Sequence, residues 1–400
     1  MSEKQKKEEL NLIEIGEYYF GIQDYNNSIN SFKIALTLNK KNEYTWSLLG
    51  SCHFNIAEYN LATNCYKKAY ELKSDDIEIC HDLGFAFQRI FQHEEALFYF
   101  NKALSINPNY LPAITQVGVH YYNQSEYLKA ESYFSRGLEI DNHHTLCLIN
   151  SGHTYAQLGK IEKAIEFYEK AFLLVENKEI LADKNNTYIN LLCSLGGCYI
   201  KINSYQSALK VLKSAFDLLP IEECDLSLVI NFSVVLIKLD KIEEAKHCLN
   251  LADDIYPNEP SILYHKATIT SSEKKYKKAL SYFFKCHKII PDDINFLRSL
   301  GVTHYHLKKY NEAIEFSEKA LLIQADYVPA LMDLGLSYAG IKQYKKALDS
   351  FQKVLDIQPE MKEAQENVRE LYRDYSDEQG NIVDGVNVKN SEGWFRRIFK

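Results

Sequence analysis

Glycine and proline are scarce, at 16 and 8 residues in a chain of 400. So few breakers leave little material for tight turns and point to long helical stretches. An excess of basic charge is also missing: 46 Lys and Arg face 54 Asp and Glu, a formal net charge of −8. Nucleic-acid binders gather cations to neutralise phosphate, so no nucleic-acid partner is expected. No run of about 18 apolar residues occurs, so no transmembrane helix is expected. The N-terminal segment MSEKQKKEEL is polar, with no apolar run behind it, and does not read as a secretory signal. Cysteines number nine, an odd count, and none forms a CxxC pair. Most fall inside helical patterns as small apolar side chains, which fits a reducing compartment and a cytoplasmic location.

The motifs of catalysis are absent as well. The sequence holds no GxxxxGK[ST] loop, no GxGxxG after a strand and no HExxH. His143 and His144 fall at a repeat junction, and His304 and His306 are two apart, where helical side chains do not converge. Cys193 and Cys198 match no zinc spacing. Scattered Ser, His and Asp residues without a recurring geometry license no triad. No catalytic residue, metal or cofactor is expected.

What is present is a period. Gly16, Gly50, Gly84, Gly118 and Gly152 are each 34 residues apart; Gly196, Ser233, Ala267, Gly301 and Gly335 continue the series after excesses of ten and three residues. Twelve residues after each register position stands a small residue: Ser28, Ala62, Ala96, Ala130, Ala164, Ala208, Ala245, Ala279, Ala313 and Ala347. Sixteen residues after it stands a bulky one, as at Phe32, Tyr66, Phe100, Phe134, Tyr168, Leu212, Leu249, Phe283 and Phe351, with Ser317 the exception. Nineteen after it a small residue returns in most repeats, and Pro108, Pro220, Pro257, Pro291 and Pro359 close several of them. Apolar positions at i, i+3, i+4 and i+7 divide each repeat into two helical stretches. Small residues let the two axes approach and the bulky one fills the remaining space. A tyrosine is expected in the turn between them, at Tyr25, Tyr59, Tyr127, Tyr205, Tyr276, Tyr310 and Tyr344. One such hairpin cannot bury its apolar face alone, so the repeats must stack.

This pattern resembles the tetratricopeptide repeat family over roughly residues 9–361. The resemblance implies an all-α fold, a right-handed superhelical solenoid of helix–turn–helix units. The expected organisation is a polar extension over 1–8, repeats one to five over 9–178, an insertion over 179–188 and repeats six to ten over 189–361. A capping helix over 362–375 and a flexible tail over 376–400 complete it. The insertion reads as a lengthened helix or loop, or as a bend dividing two arms. The face of Ala364, Val368, Leu371, Tyr372 and Tyr375 marks the cap.

In similar proteins the first helix of each repeat lines a concave groove that holds other proteins or peptides. The position two before the register residue is polar in nine repeats: Glu14, Asp82, Gln116, Asn150, Ser194, Asn231, His265, Ser299 and Asp333, with Leu48 the exception. Such side chains can hydrogen-bond an extended peptide at regular intervals, although solvent exposure alone would also make them polar. Asn150 and Asn231 match the asparagine that lines some long superhelices of this family, including the repeat arm of O-linked glycosyltransferases. Phe85, Val119, Tyr264, Val302 and Leu336 lie beside this ladder as candidate apolar pockets. The carboxylate clamp by which some family members grip chaperone tails needs Lys three before the register glycine and Asn just after it. Ile13 and Glu17, Ser47 and Ser51, and Arg298 with Val302 do not supply it, so no such chaperone partner is expected.

The segment from 376 lacks periodicity and reads as a flexible linker ending in WFRRIFK. Trp394, Phe395, Ile398 and Phe399 share a helical face with Arg396, Arg397 and Lys400 nearby. Docking on a partner is the favoured reading. Folding back on the repeats, or weak contact with an anionic membrane surface, are the others. The sequence thus points to a scaffold or adaptor. The substrate-targeting subunit of a separate, glycosyltransferase-like enzyme and a secretion or assembly chaperone are the alternatives.

Overall fold

A computed structural model describes residues 2–176, 184–219, 223–376 and 381–382. These residues form 21 α-helices, in pairs that follow the repeats. The pairs are α1 (Glu3–Gly21) with α2 (Tyr25–Leu38), α3 (Glu43–Asn55) with α4 (Tyr59–Leu72), and α5 (Ile77–Arg89) with α6 (His93–Ile106). Next come α7 (Leu111–Asn123) with α8 (Tyr127–Ile140), α9 (Thr145–Gln157) with α10 (Ile161–Glu176), and α11 (Lys184–Lys201) followed by α12 (Tyr205–Phe216). The remaining pairs are α13 (Leu226–Lys238) with α14 (Ile242–Ile255), α15 (Pro260–Ser272) with α16 (Tyr276–Ile289), α17 (Ile294–His306) with α18 (Tyr310–Ile323) and α19 (Val328–Gly340) with α20 (Tyr344–Ile357). A last helix, α21 (Lys362–Tyr375), follows them. The chain divides into two compact units, Met1–Asn203 and Ser204–Lys400.

The small and bulky residues of the period meet in one contact. Gly84 of α5 faces the ring of Phe100 on α6, where an added Cβ would lie 2.7 Å from Cε1. The rings of Phe32, Tyr66, Phe134, Tyr168 and Phe351 sit on their register glycines in the same way. These rings are buried and form the largest side chains of the core. A packed interior leaves no room for both a ring and a methyl at one crossing, so the pair is small opposite large. In the ninth repeat Gly301 faces Ser317, the Ala313 carbonyl and, at 3.7 Å, the Cβ of Phe316 rather than a ring. There no ring covers the glycine, and the neighbouring Phe316 stacks on His304.

The turns within repeats differ from expectation. The seven tyrosines expected there are instead the first residues of the second helices α2, α4, α8, α12, α16, α18 and α20. The turn is closed by a residue in left-handed backbone seven after the register position: Gln23, Ala57, Phe91, Ser125, Asn203, Asp240, Lys274, Lys308 and Lys342, with φ of 58–63°, and Gly159 at 72°. The following amide reaches back five residues, as from Glu58 N to His53 O at 2.8 Å and from Gln92 N to Phe87 O at 3.0 Å. This Schellman closure satisfies helix-end carbonyls. Only one of the ten positions holds glycine. The turns between repeats rely instead on side-chain caps, with Asn42, Asp76, Asp225 and Asp293 accepting from amides of the helices they start.

Three further differences concern the ends and the insertion. The expected polar extension is helical from Glu3, started by a capping box between Ser2 and Gln5. Of the insertion, 179–183 lie outside the described residues, whereas Lys184–Tyr188 begin α11, which runs 18 residues where α9 runs 13. Of the tail, Ser376 and Ile382 form an antiparallel bridge, and Ile382 is buried in the apolar cluster that also holds Val328, Leu331, Phe351 and Val368. The linker expected to be flexible is thus anchored at that point, because Ile382 finds apolar surface on the last repeat and α21. Eight of the nine cysteines are buried.

Candidate functional site

Within each unit, consecutive first helices touch one another: α7 with α9 and α9 with α11 in the first, α13 with α15 and α17 with α19 in the second. Elements stacked around a curve approach most closely on its inner side, so the first helices form the inner face of each unit. The ladder positions lie on these helices. Asp82, Gln116, Asn150, Ser194, Asn231, His265, Ser299 and Asp333 are all half-buried, and Glu14 is exposed.

The structure separates the ladder into spent and unspent groups. Asp82 Oδ1 lies 3.2 Å from Nδ1 of the adjacent His81. Ser194 Oγ lies 3.2 Å from Nε2 of His153, one repeat earlier. Asp333 accepts from Nε of Arg298 at 2.9 Å. Burial pushes the Asp333 carboxyl up, against the opposing pull of Arg298. By contrast, the amides of Gln116, Asn150 and Asn231 make no side-chain hydrogen bond among the described residues. An amide offers two donors and two acceptor lone pairs, so these three retain full capacity for a partner's backbone. His265 is mostly buried, edge-on to Tyr264 at 5.6 Å, and burial lowers its pKa to about 4. It is therefore a neutral imidazole at pH 7.

The apolar candidates are engaged in packing. Phe85 stacks on His81 and tilts against Phe54. Tyr264 packs edge-on against Phe283 and also meets Phe296. Val119 lies against the cluster of Ala130, Phe134 and Cys147. Each is half-buried and presents only part of its surface. Trp394, Phe395, Arg396, Arg397, Ile398 and Phe399 lie outside the described residues.

Histidines singled out by the sequence have structural partners. His144 caps α9, its Nδ1 accepting from Cys147 N at 3.3 Å, and His306 stacks on Tyr276 at 4.8 Å. No group of three metal-ligating side chains occurs among the described residues. No helix among them is long and apolar enough to cross a membrane. Sequence reasoning missed the intrachain partners Arg298 and His153 of the ladder. Their spacing of 35 and 41 residues from Asp333 and Ser194 offers no local signal.

No curated protein matches the chain in sequence. Among solved structures, the crystal structure of the APC/C hetero-tetramer Cut9–Hcn1 is similar at 12% identity, covering 92% of this chain and 96% of that one with a TM-score of 0.50. The pilF structure of Pseudomonas aeruginosa is similar at 15% identity, covering 56% of this chain and 97% of that one, also at 0.50. At such identities these likenesses concern the fold alone. A tetratricopeptide repeat model matches residues 144–220 and 292–360, and two further models of that repeat match 77–110 and 44–76. With ten registers of one sequence pattern, six of them closed by the same glycine–ring contact, and these matches along its length, the chain belongs to the tetratricopeptide repeat family.

Proposed function

We propose that this chain is a non-catalytic scaffold that holds extended segments of partner proteins along the first-helix face of each unit. The observation that supports this reading is the set of half-buried amides with unspent hydrogen-bonding capacity, Gln116 and Asn150 in the first unit and Asn231 in the second. A half-buried amide without an intrachain partner contributes little to folding, yet it can pair with a peptide backbone while partly shielded from water. Asp82, His265, Arg298 and the partly exposed edges of Phe85, Val119 and Tyr264 would flank that peptide. The tail tip, Trp394 to Phe399, belongs to the same proposal as a second docking element.

The test is a quantitative pull-down read by mass spectrometry, with the full chain and a Gln116→Ala/Asn150→Ala/Asn231→Ala variant as baits. Each hydrogen bond is worth about 1 kcal/mol. The triple variant should therefore weaken a partner held on the first unit by roughly thirtyfold and one held on the second unit by roughly fivefold, with its thermal midpoint unchanged. Retention of every partner by the triple variant would remove the inner face as the binding surface. A version ending at Tyr375 separates partners held by the tail.

A further inference from the structure

A second regularity runs along the outer side of the repeats, away from the ladder. In the third, fourth, fifth and ninth repeats, the first helix carries a ring three residues after the register position that stacks on a ring of the second helix, fifteen after it. Phe87 and Tyr99 stack at 5.4 Å and 9°, Tyr121 and Tyr133 at 5.6 Å and 25°, and Tyr155 and Phe167 at 5.3 Å and 7°. His304 and Phe316 repeat the arrangement at 5.5 Å and 13°. These pairs fill the furrow between consecutive second helices.

In the second repeat the pair is missing. Its positions are His53 and Cys65, and His53 turns to Glu58, with Nδ1 2.6 Å from Oε2. What remains between α2, α3 and α4 is an open hollow of about 810 Å³ floored by Leu36, Trp46, Leu49 and Cys65. Its rim is cationic, carrying Lys33, Lys40, Lys67 and Lys68 against a single Glu71. Lys68 is paired with Glu71 at 2.6 Å, and Lys67 lies over the Phe87 ring at 4.9 Å. Lys33 and Lys40 have no ion-pair partner among the described residues. That is a local cation surplus on a chain of net charge −8. The tenth repeat gives a comparison: Ser350 replaces a ring there and a smaller hollow of about 520 Å³ opens, but Glu318 and Asp349 balance Lys346 and Lys353 on its rim.

We infer that the hollow between α2 and α4 is a second binding site, on the outer face, for an acidic peptide that inserts an aromatic side chain where the third, fourth, fifth and ninth repeats keep their own ring pair. The space is shaped by the absence of two rings, so a flat aromatic side chain restores the packing found in the third repeat. Aspartate or glutamate beside that ring would meet Lys33 and Lys40, which steers association and fixes orientation. The chain's own WFRRIFK tip has aromatic rings but the wrong charge, since Arg396, Arg397 and Lys400 would face the lysines. The site is independent of the inner-face ladder.

A displayed library of random twelve-residue peptides, selected on the full chain, tests the inference. Selected peptides should carry an aromatic residue with Asp or Glu beside it, and synthetic copies should bind in fluorescence anisotropy with an affinity that falls as salt rises. A His53→Phe/Cys65→Tyr variant copies the third repeat's pair and closes the hollow. It should keep the helical signal and thermal midpoint while losing peptide binding by about thirtyfold, the share of a buried aromatic anchor. Lys33→Glu/Lys40→Glu, at two exposed positions, should weaken binding by about tenfold and reduce its salt dependence. This second variant decides the matter if the filled one does not fold. The Gln116→Ala/Asn150→Ala/Asn231→Ala variant should bind these peptides as the parent does, which separates this site from the inner face. Selected peptides that are basic, or that bind both hollow variants unchanged, would overturn the inference. So would parent-specific binding to phosphatidylserine vesicles that the peptides fail to displace.

Discussion

Alanine at two register glycines should move stability in opposite directions. Gly84 and Gly301 occupy the same place in α5 and α17, in the middle of their helices. Replacing a mid-helix glycine with alanine gains about 1 kcal/mol from backbone entropy alone. At Gly84 the new methyl would stand 2.7 and 2.8 Å from Cε1 and Cδ1 of Phe100, a ring that is 1% exposed and has little room to move. Overpacking of this kind costs about 1–3 kcal/mol. The sum at Gly84 runs from no gain to a loss of about 2 kcal/mol. At Gly301 the nearest atoms are Ser317 Oγ at 3.2 Å and Ala313 O at 3.4 Å. A serine hydroxyl can rotate aside, so most of the gain of about 1 kcal/mol survives there. Because stacked repeats open one after another, a single global midpoint would blur the difference. Amide hydrogen exchange read by mass spectrometry on peptides from α5–α6 and α17–α18 resolves it. Exchange around Gly301→Ala should slow by about fivefold, and exchange around Gly84→Ala should hold or quicken by up to about thirtyfold. Equal slowing at both sites would refute the close-approach argument.

Three further expectations follow from the same structure. Ala57→Gly should stabilise the turn before α4 by about 0.5–1 kcal/mol, since Ala57 holds a φ of 61°, and Gly159→Ala, at 72°, should destabilise its turn by a similar amount; denaturant midpoints check the opposite signs. His265 has its pKa lowered by burial from 6.5 to about 4, so its contribution to stability is complete above pH 6.5 and lost as pH falls towards 4. The full difference is on the order of 3 kcal/mol, and His265→Leu should flatten the acid dependence of exchange in α15 between pH 7 and 4.5. Ile382→Ala should loosen α20 and α21 by about 2–4 kcal/mol, because Ile382 is only 5% exposed among the apolar side chains of the last repeat. Unchanged exchange in those helices would show that the residue is not part of the cap.

The helical pairs, their number and the small–large contact were legible in the sequence because each contact spans a fixed, short separation. Gly16 with Phe32 and Gly84 with Phe100 are sixteen residues apart, and repetition turns that separation into a readable period. The final helix was legible for the same reason, since Ala364, Val368 and Leu371 fall on one face of α21 and are buried there. The seven tyrosines were read correctly as recurrent but placed in the turn rather than at the start of the second helix. The turn itself left no mark, because packing of the flanking helices holds Ala57, Phe91 and Lys308 in left-handed backbone without glycine.

The ladder shows where one-dimensional reading ends. All nine polar positions look alike in sequence, yet His153 reaches Ser194 across 41 residues and Arg298 reaches Asp333 across 35. Whether a polar side chain is spent or unspent depends on rotamers and on neighbours from another repeat, which no local pattern encodes. The outer hollow belongs to the same class. His53 and Cys65 are unremarkable in the sequence, and their meaning emerges only where α2, α3 and α4 bring Lys33, Trp46 and Cys65 around one space. Local periodicity therefore determined the fold, through contacts repeated at constant separation. Tertiary structure decided which surfaces remain unsatisfied, because that depends on side chains distant in sequence meeting at a single point.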